Sequence, residues 1–363
     1  MRIQENIPLA PLTTLQVGGP ARYFVEARTE HDVMEAVAHA AARKLPLFVL
    51  GGGSNLLVSD RGWPGLALKV AIAGVEFEGG LEKMLFHAGA GENWDDFVAL
   101  TVSKNCGGLE CLSGIPGTVG GTPVQNVGAY GQEVSETITQ VRVLEIATGR
   151  KLTMSNADCG FTYRTSVFNT THRDRYIVPE VAYRLNRNGK PRVEYADLKK
   201  FFAAASTSPT LEQVRDAVRS IRQSKAMLIV DGDEDCRSAG SFFKNPLVNE
   251  ADARRIEALA QKRAPGKKLP RYPAAEGRVK LAAGWLVEQA GIHKGYSLGP
   301  AGISRKHALA IVNRGGATAK DILALKNDVQ KRVFDVWGVE LQPEPVMVGF
   351  ADGPDKVDGS AAE

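Results

Sequence analysis

The sequence predicts an α+β protein, and three observations carry that prediction. Between residues 29 and 58 a helical repeat, a short apolar strand, a glycine-rich loop and a second strand follow one another. A strand-rich stretch then extends to about residue 185, and well-separated amphipathic helices fill the rest. The 363 residues are enough for two to three domains of about 150 residues each and for a substantial core. The composition, 44% apolar and 24% charged, is that of a soluble globular protein. It excludes a wholly disordered chain, which needs few apolar residues and a large net charge.

Each element has a local signature. Thr29-Glu30-His31-Asp32 reads as a capping box opening a helix with Val33, Val37 and Ala41 at helical spacing, and Pro46 follows its end. Leu47 to Leu50 is an apolar strand that runs into Gly51-Gly52-Gly53-Ser54-Asn55, and Leu56-Leu57-Val58 resumes a strand. Asn93 is placed to cap a helix carrying Trp94, Phe97, Val98 and Leu100, which is expected to stop at Gly107-Gly108. The stretch GLECLSGIPGTVGGTPVQNVGAYG, ending at Gly131, has no helix pattern and is a second glycine-rich loop. Apolar alternation predicts strands near Val141–Ile146 and Tyr176–Leu185. A helix from about Thr210 to Lys225 puts Val214, Val218 and Ile221 on one face. Its basic end (Arg219, Arg222, Lys225) suits the negative pole of the helix dipole. The run Asp231-Gly232-Asp233-Glu234-Asp235 reads as a solvated loop or linker. A helix with Leu281, Trp285 and Leu286 is expected to end at Gly291. The last helix starts at Thr318 with Asp321 in the capping position, buries Ile322, Leu325, Val329, Val333 and Trp337, and stops at Gly338. Residues 338–350 read as a final strand and 351–363 as a frayed tail.

Several function classes fall away. The net charge of +4, with no block of five basic residues, gives no nucleic-acid surface. No run reaches the roughly 18 apolar residues of a membrane helix, and Met1 to Leu15 lacks the apolar run of a signal peptide. The four cysteines form no C-x-x-C pair and the histidines are scattered, so no metal site and no disulfide framework is expected. A cytoplasmic monomer is the expectation. G-x-G-x-x-G after a strand, G-x-x-x-x-G-K-[ST], G-x-S-x-G and H-E-x-x-H are all missing.

The remaining motifs each admit two readings. Gly51 to Asn55 is either a tight turn or a row of exposed amides for a pyrophosphate. The stretch from Gly114 to Gly131 is either a structural bend at Ile115-Pro116-Gly117 or a second loop for one long ligand such as a dinucleotide flavin. Arg164, after Phe161-Thr162-Tyr163, is a surface arginine or a fixed guanidinium for a carboxylate. Ser241, between Gly240 and Phe242-Phe243, lies on a strand edge or in a dry reactive position. Glu344, between Pro343 and Pro345, is an exposed turn residue or an acid on stiff backbone. Tyr195 is a core residue or a ligand cover, and Lys225 and Lys294 are weak signals when taken singly.

Read in order, the blocks TLQVGGPARYF, LGGGSNLLV, AGENWDDFV, SGIPGTVGGTPVQNVGAYG, FTYRTSVF, EYADL, SAGSFFKNP, KLAAGWLVEQAG, HALAIVNRGGATAKDI and GVELQPEP resemble the UDP-N-acetylenolpyruvoylglucosamine reductase (UDP-N-acetylmuramate dehydrogenase) family, type I, over about residues 10–350. The resemblance implies a vanillyl-alcohol-oxidase-type (PCMH-type) two-part FAD-binding fold plus a C-terminal α+β substrate domain. The parts are 1–75 (with 338–350 returning to it), 76–224, and the substrate domain 225–337. It implies FAD and NADP(H) as cofactors and UDP-N-acetylglucosamine enolpyruvate as substrate, reduced to UDP-N-acetylmuramate for peptidoglycan. By position Gly51, Gly52, Gly53, Ser54, Asn55, Leu56, Ile115, Pro116, Gly117, Gly121, Asn126, Gly128 and Ala129 match FAD-binding residues. Arg164 matches the arginine facing the enolpyruvyl carboxylate, Ser241 the proton-donating serine and Glu344 the active-site glutamate. Tyr130, Tyr195, Lys225, Asn245 and Lys294 match residues that hold the UDP-sugar, with Tyr195 folding over it.

The resemblance implies hydride delivery to C3 of the enol ether and a proton from Ser241 to C2. Charge spreading into the carboxylate would be met by Arg164 and by a protonated Glu344. Three positions depart from the family pattern: the acidic 231–237 stretch, His307 where glutamine is expected, and Val346 where some members carry arginine. Two other readings stand beside it, a flavin oxidase of the same superfamily and a nucleotide-sugar-binding protein without turnover.

Overall fold

The computed structural model describes residues 1–274 and 277–350; the tail reading of 351–363 lies outside the described residues. The chain forms two compact units, one of residues 1–7, 21–53 and 63–229 and one of residues 8–20, 54–62 and from 230 onward.

In the first unit, strands Gln4–Pro8, Pro20–Ala27, Trp63–Val70 and Leu47–Leu50 form a four-stranded sheet in that order. The second and fourth of these run parallel to Trp63–Val70. Helix α1 (Glu30–Ala42) connects them, and its capping box is formed: Thr29 Oγ1 accepts from Asp32 N at 3.1 Å and Asp32 Oδ2 from Thr29 N at 3.1 Å. Val33, Ala36, Val37 and Ala40 face the sheet, whereas the expected Ala41 is exposed. The apolar stripe runs through position 40, and a further 100° of turn carries position 41 to solvent.

The larger sheet of the same unit is antiparallel, in the order Lys151–Ser155, Ile138–Glu145, Tyr176–Arg187, Lys83–Gly89, Val75–Gly79. Helix α2 (Trp94–Ser103) lays Trp94, Phe97 and Val98 on it, beside Phe86 and Tyr183. Asn93 caps it as expected, its Oδ1 accepting from Asp95 N at 2.9 Å. It ends three residues earlier than Gly107-Gly108: Lys104 is its last cap and Asn105 takes φ +55°, a left-handed turn that asparagine tolerates. Cys106 and Gly107 then pair with Arg187 and Asn186 as a short strand.

Helices α3 (Ala196–Phe201) and α4 (Leu211–Ser224) share a small core of Cys111, Leu198, Val214, Ala217 and Val218. The basic end of α4 has specific partners. Arg215 and Arg219 both hold Asp95. The buried Arg222 donates to Gly114 O at 3.0 Å, and Lys225 Nζ reaches Asp197 at 2.6 Å.

The second unit has one continuous core that includes Phe242, Phe243, Leu286, Ile311, Ile322, Leu325, Val329, Val333 and Trp337. Its helices are α5 (Glu250–Arg263), α6 (Ala283–Gln289) and α7 (Ala319–Trp337). α7 matches its sequence signature from the Thr318–Asp321 capping box to Gly338 at φ +65°. Asp60 adds acceptors for the N–H groups of Ala319 (2.7 Å) and Lys320 (3.0 Å) at its start.

Three expectations are corrected in this unit. Leu281 belongs to strand Val279–Leu281, paired with Arg271–Pro273 and Leu247–Val248, and α6 begins only at Ala283. Apolar residues at 281, 285 and 286 fit one helix face, but buried apolar strand residues give the same signal. The final strand is confined to Val346–Val348, parallel to Leu56–Val58, because Pro343 and Pro345 have no N–H to donate to a ladder. The run 231–235 is not a solvated linker. Residues Glu234–Cys236 form a 3-10 turn, Asp235 is 2% exposed, and Asp233 and Glu234 pair with Lys306 (2.5 Å) and Arg305 (2.6 Å). Among the described residues no helix is long and apolar enough to cross a membrane.

Candidate active site

In the first unit the two glycine-rich loops meet. Gly51, Gly52 and Gly53 leave the end of strand Leu47–Leu50, and Gly53 turns at φ +64°. A Cβ on Gly52 would stand 2.5 Å from Gly117 Cα and 3.0 Å from Thr118 N, and one on Gly51 would stand 3.0 Å from Thr118 Oγ1. Backbone packs against backbone there, an approach that only glycine permits. The second loop is pinned on its far side: Trp94 N donates to Gly117 O (3.1 Å), Val119 N to Glu92 O (2.9 Å) and Gly120 N to Ala90 O (2.9 Å).

Thr118 Oγ1 is buried and has no hydrogen-bond partner among the described residues. A buried hydroxyl is normally paired, so this atom fits a polar ligand. The cradle of glycines around it fits the diphosphate of a dinucleotide. Thr118 was not singled out in the sequence; the one hydroxyl inside GIPGTVGG is the signal that could have found it.

The other cofactor candidates divide. Ile115 packs against the core of the large sheet, Pro116 is half-buried and Gly121 faces open space. Gly128 and Ala129 pair with Glu133 and Gln132 in a small hairpin. Asn126 is fully buried with its side chain engaged: Nδ2 donates to Glu133 Oε2 (2.8 Å) and Thr162 O (3.0 Å), and Oδ1 accepts from Ser135 N (3.1 Å). Its side chain shapes the loop. Ser54, Asn55 and Leu56 lie in the second unit. There Asn55 Nδ2 donates to Glu344 O at 3.2 Å, and Asn55 O accepts from Val346 N at 2.9 Å.

Arg164 sits at φ +55° and donates to Gly128 O at 2.7 Å, with its guanidinium 5.3 Å from the Tyr163 ring. Tyr130 meets Tyr195 edge to face at 5.4 Å. Burial pushes the Tyr130 phenol up to about 12, so it stays a neutral donor. Tyr195, 46% exposed, precedes α3, and Asp197 in the first turn of that helix holds Lys225. The structure thus brings Tyr130, Tyr195 and Lys225 together on the first unit. Asp95 also bears on the loop, accepting from Gly114 N at 2.6 Å. Burial raises its pKa, but Arg215 and the Gly114 amide outweigh that and hold it below the ordinary aspartate value.

In the second unit, residues 241–244 run between two other segments. Phe242 N donates to Leu309 O at 2.8 Å on one side, and Glu344 N donates to Phe242 O at 2.9 Å on the other. Lys244 N donates to Gln342 O at 2.9 Å, and Phe243 pairs antiparallel with Pro343. Phe242 and Phe243 are core residues, which fixes this bridged segment, while Ser241 and Glu344 remain half-buried beside it. Asn245 Oδ1 accepts from Ala283 N at 2.9 Å at the start of α6. Lys294 is exposed on the loop after α6, away from this segment in the chain. His307 Nδ1 accepts from Leu309 N at 3.1 Å.

Residues 21–155 match the family model of an FAD binding domain, so the glycine loops belong to an FAD-binding flavoprotein. Residues 232–348 match the model of the C-terminal domain of UDP-N-acetylenolpyruvoylglucosamine reductase. A reductase of that name from Thermobifida fusca (strain YX) is 44% identical over 349 residues, covering 95% of this chain and 98% of its own. One from Mycobacterium tuberculosis (strain ATCC 25177 / H37Ra) is 44% identical over 361 residues, covering 96% and 95%. The crystal structure of the reductase from Thermus caldophilus is similar at TM-score 0.67 and 26% identity, covering 96% of this chain and 99% of that one. The chain belongs to the UDP-N-acetylenolpyruvoylglucosamine reductase family. Its reaction reduces the enolpyruvyl group of UDP-N-acetylglucosamine enolpyruvate to give UDP-N-acetylmuramate for peptidoglycan synthesis.

Proposed function

We propose that this chain performs the family's reduction in the cytoplasm with NADPH as the electron source, and that Ser241, Arg164 and Glu344 carry the chemistry on the sugar. The observation that supports this best is the pairing of residues 242–244 with residues 342–344 in the second unit. The amide of Glu344 is bound to the carbonyl next to Ser241, so a hydroxyl and a carboxyl stand on adjoining backbone. FAD, when bound, supplies the hydride that adds to C3 of the enol ether.

The chain's own residues do the rest. Gly51, Gly52, Gly53, Ser54, Asn55 and Leu56, with Ile115, Pro116, Gly117, Gly121, Gly128 and Ala129, offer backbone to the dinucleotide; Thr118 offers a hydroxyl and Asn126 holds the loop shape. Arg164 faces the enolpyruvyl carboxylate. As electron density moves from the C2–C3 double bond toward C2, a fixed guanidinium stabilises the growing charge. Ser241 gives its hydroxyl proton to C2, a strongly basic centre at that moment, and regains one from solvent. Tyr130, Tyr195, Lys225, Asn245 and Lys294 hold the UDP-sugar, with Lys225 exchanging Asp197 for a phosphate oxygen.

The test is an anaerobic absorbance experiment on the purified holoprotein. NADPH is expected to bleach the yellow colour, and UDP-N-acetylglucosamine enolpyruvate to restore it. Failure of the sugar to restore it would overturn the reading.

A further inference from the structure

We propose that Asp235, acting through Arg305, is a positioning residue that fixes the reactive geometry of Ser241. The inference rests on the reading of Ser241 as the proton donor. The segment 235–242 is fastened at both ends to the segment 304–313. At one end Asp235, 2% exposed, accepts from Arg305 N at 3.0 Å and from Arg305 Nε at 2.8 Å. At the other, Phe242 N donates to Leu309 O at 2.8 Å. Between them Asn313 N donates to Arg237 O at 3.0 Å, and Ser238 pairs with Val312. The ion pair, the chain from 305 to 309, the Leu309–Phe242 bond and the chain from 242 to 235 form a closed ring with Ser241 inside it.

The ring answers a physical problem. In Ser238-Ala239-Gly240-Ser241 the side chains are small; Ser238 and Ala239 are buried, but Gly240 turns at φ +71° with open space where a Cβ would stand and Ser241 is half-buried. Packing therefore holds the loop least next to Ser241, where backbone freedom is greatest. A proton donor must nevertheless sit within hydrogen-bond reach of the carbon it serves. Anchors at each end supply what the loop lacks. The Leu309 N bond to His307 Nδ1 (3.1 Å) tightens the 305–309 side of the ring. Lys306 on Asp233 (2.5 Å) and Arg305 on Glu234 (2.6 Å) surround the buried pair. Removing Asp235 would leave the Arg305 side chain without its buried partner and free the 235 end of the segment, with Arg237 and Ser238 as the nearest remaining anchors.

The test uses flavin-loaded D235A, R305A and the double variant, with S241A alongside, in anaerobic rapid mixing. Flavin content and NADPH bleaching are expected at wild-type level. Reoxidation by UDP-N-acetylglucosamine enolpyruvate is expected to slow roughly 10- to 100-fold, the cost of about an ångström of misplacement, with kcat affected far more than KM. The double variant should be no slower than D235A alone, because Asp235→Ala already removes both bonds that Arg305 makes to it, whereas Arg305→Ala removes only the side-chain one. Wild-type reoxidation in all three, equal loss of both half-reactions, or multiplied losses in the double variant would overturn the proposal. R305K, which keeps a cation beside the buried Asp235 while losing the Nε–H bond, carries the test if D235A or R305A does not fold. Normal reoxidation by S241A would refute the reading of Ser241 itself; loss in S241A with normal clamp variants would refute the clamp alone.

Discussion

At the glycine loops of the first unit the ligand-facing surface is backbone, and side chains matter chiefly by being absent: Gly52 has no room for a Cβ over Gly117. In the second unit the reverse holds at Ser241 and Glu344. There the backbone beside the two side chains is paired, Phe242 N with Leu309 O and Phe242 O with Glu344 N, and side chains are presented from it. The first arrangement suits a diphosphate, whose charge spreads over many oxygens and is met by many amides. The second suits a single proton transfer, which needs one group at one place. The difference shows where substitutions should act: on cofactor retention in the first unit, on one half-reaction in the second.

The largest effect expected is that of Ser241→Ala. Reoxidation by the sugar substrate should fall by about 10²- to 10⁴-fold, the usual contribution of a positioned acid, while flavin content and NADPH bleaching persist. Equal loss of both halves in rapid mixing would break the contrast between the units. Gly52→Ala should act oppositely, since a Cβ 2.5 Å from Gly117 Cα forces the loops apart. Overpacking of about 1–3 kcal/mol predicts a fall in the flavin-to-protein absorbance ratio and FAD affinity weaker by ~10- to 100-fold.

Thr118→Val is expected to act on the same property by a comparable amount. Loss of a hydrogen bond to a charged group, about 1.5–3 kcal/mol, predicts roughly 10- to 150-fold weakening of FAD binding by fluorescence titration of the apoprotein, with Thr118→Ser close to wild type. Wild-type FAD affinity in Thr118→Val would show that the hydroxyl makes no contact with the ligand.

The smallest effect concerns acid. Asp233 and Asp235 are held below the ordinary aspartate value of 3.8. For Asp233 the Lys306 contact dominates; for Asp235 the pull of burial is upward, but Arg305 outweighs it. A depressed carboxylate contributes stability that is present above its unfolded value and lost as pH falls through the folded one. Thermal unfolding of Asp235→Asn should therefore depend less steeply on pH below about pH 4 than that of the wild-type protein. Parallel curves would remove the electrostatic part of the clamp.

Where the deciding interactions lie within one turn of chain, the sequence was readable. The Thr29 and Thr318 capping boxes, the Asn93 cap and Gly338 as a stop were all legible because each depends on residues no more than four positions apart. The glycine loops were legible as ligand loops for a similar reason, since three adjacent glycines exceed what a turn requires. The differences have two forms: Ala41, the end of α2 and the short final strand turn on local geometry, whereas Leu281 and the acidic run depend on neighbours in space. The partners of Asp233 and Asp235 stand about 70 positions away, at Lys306 and Arg305, and no local pattern announces them. Asn126 and Thr118 exchange emphasis for the same reason. A buried amide saturated by Glu133, Thr162 and Ser135 and a buried hydroxyl left without a partner look alike as letters.

The sequence by itself determined the helix limits set by caps, the class of ligand the glycines admit and the family of the chain, because backbone conformation and side-chain chemistry are properties of short segments. Only the tertiary structure decided which glycine touches which, which hydroxyl lacks a partner, and that an acidic run ties the segment bearing Ser241 to residues 305–309. Burial and ion pairing depend on what lies across space, and chain order does not record that distance.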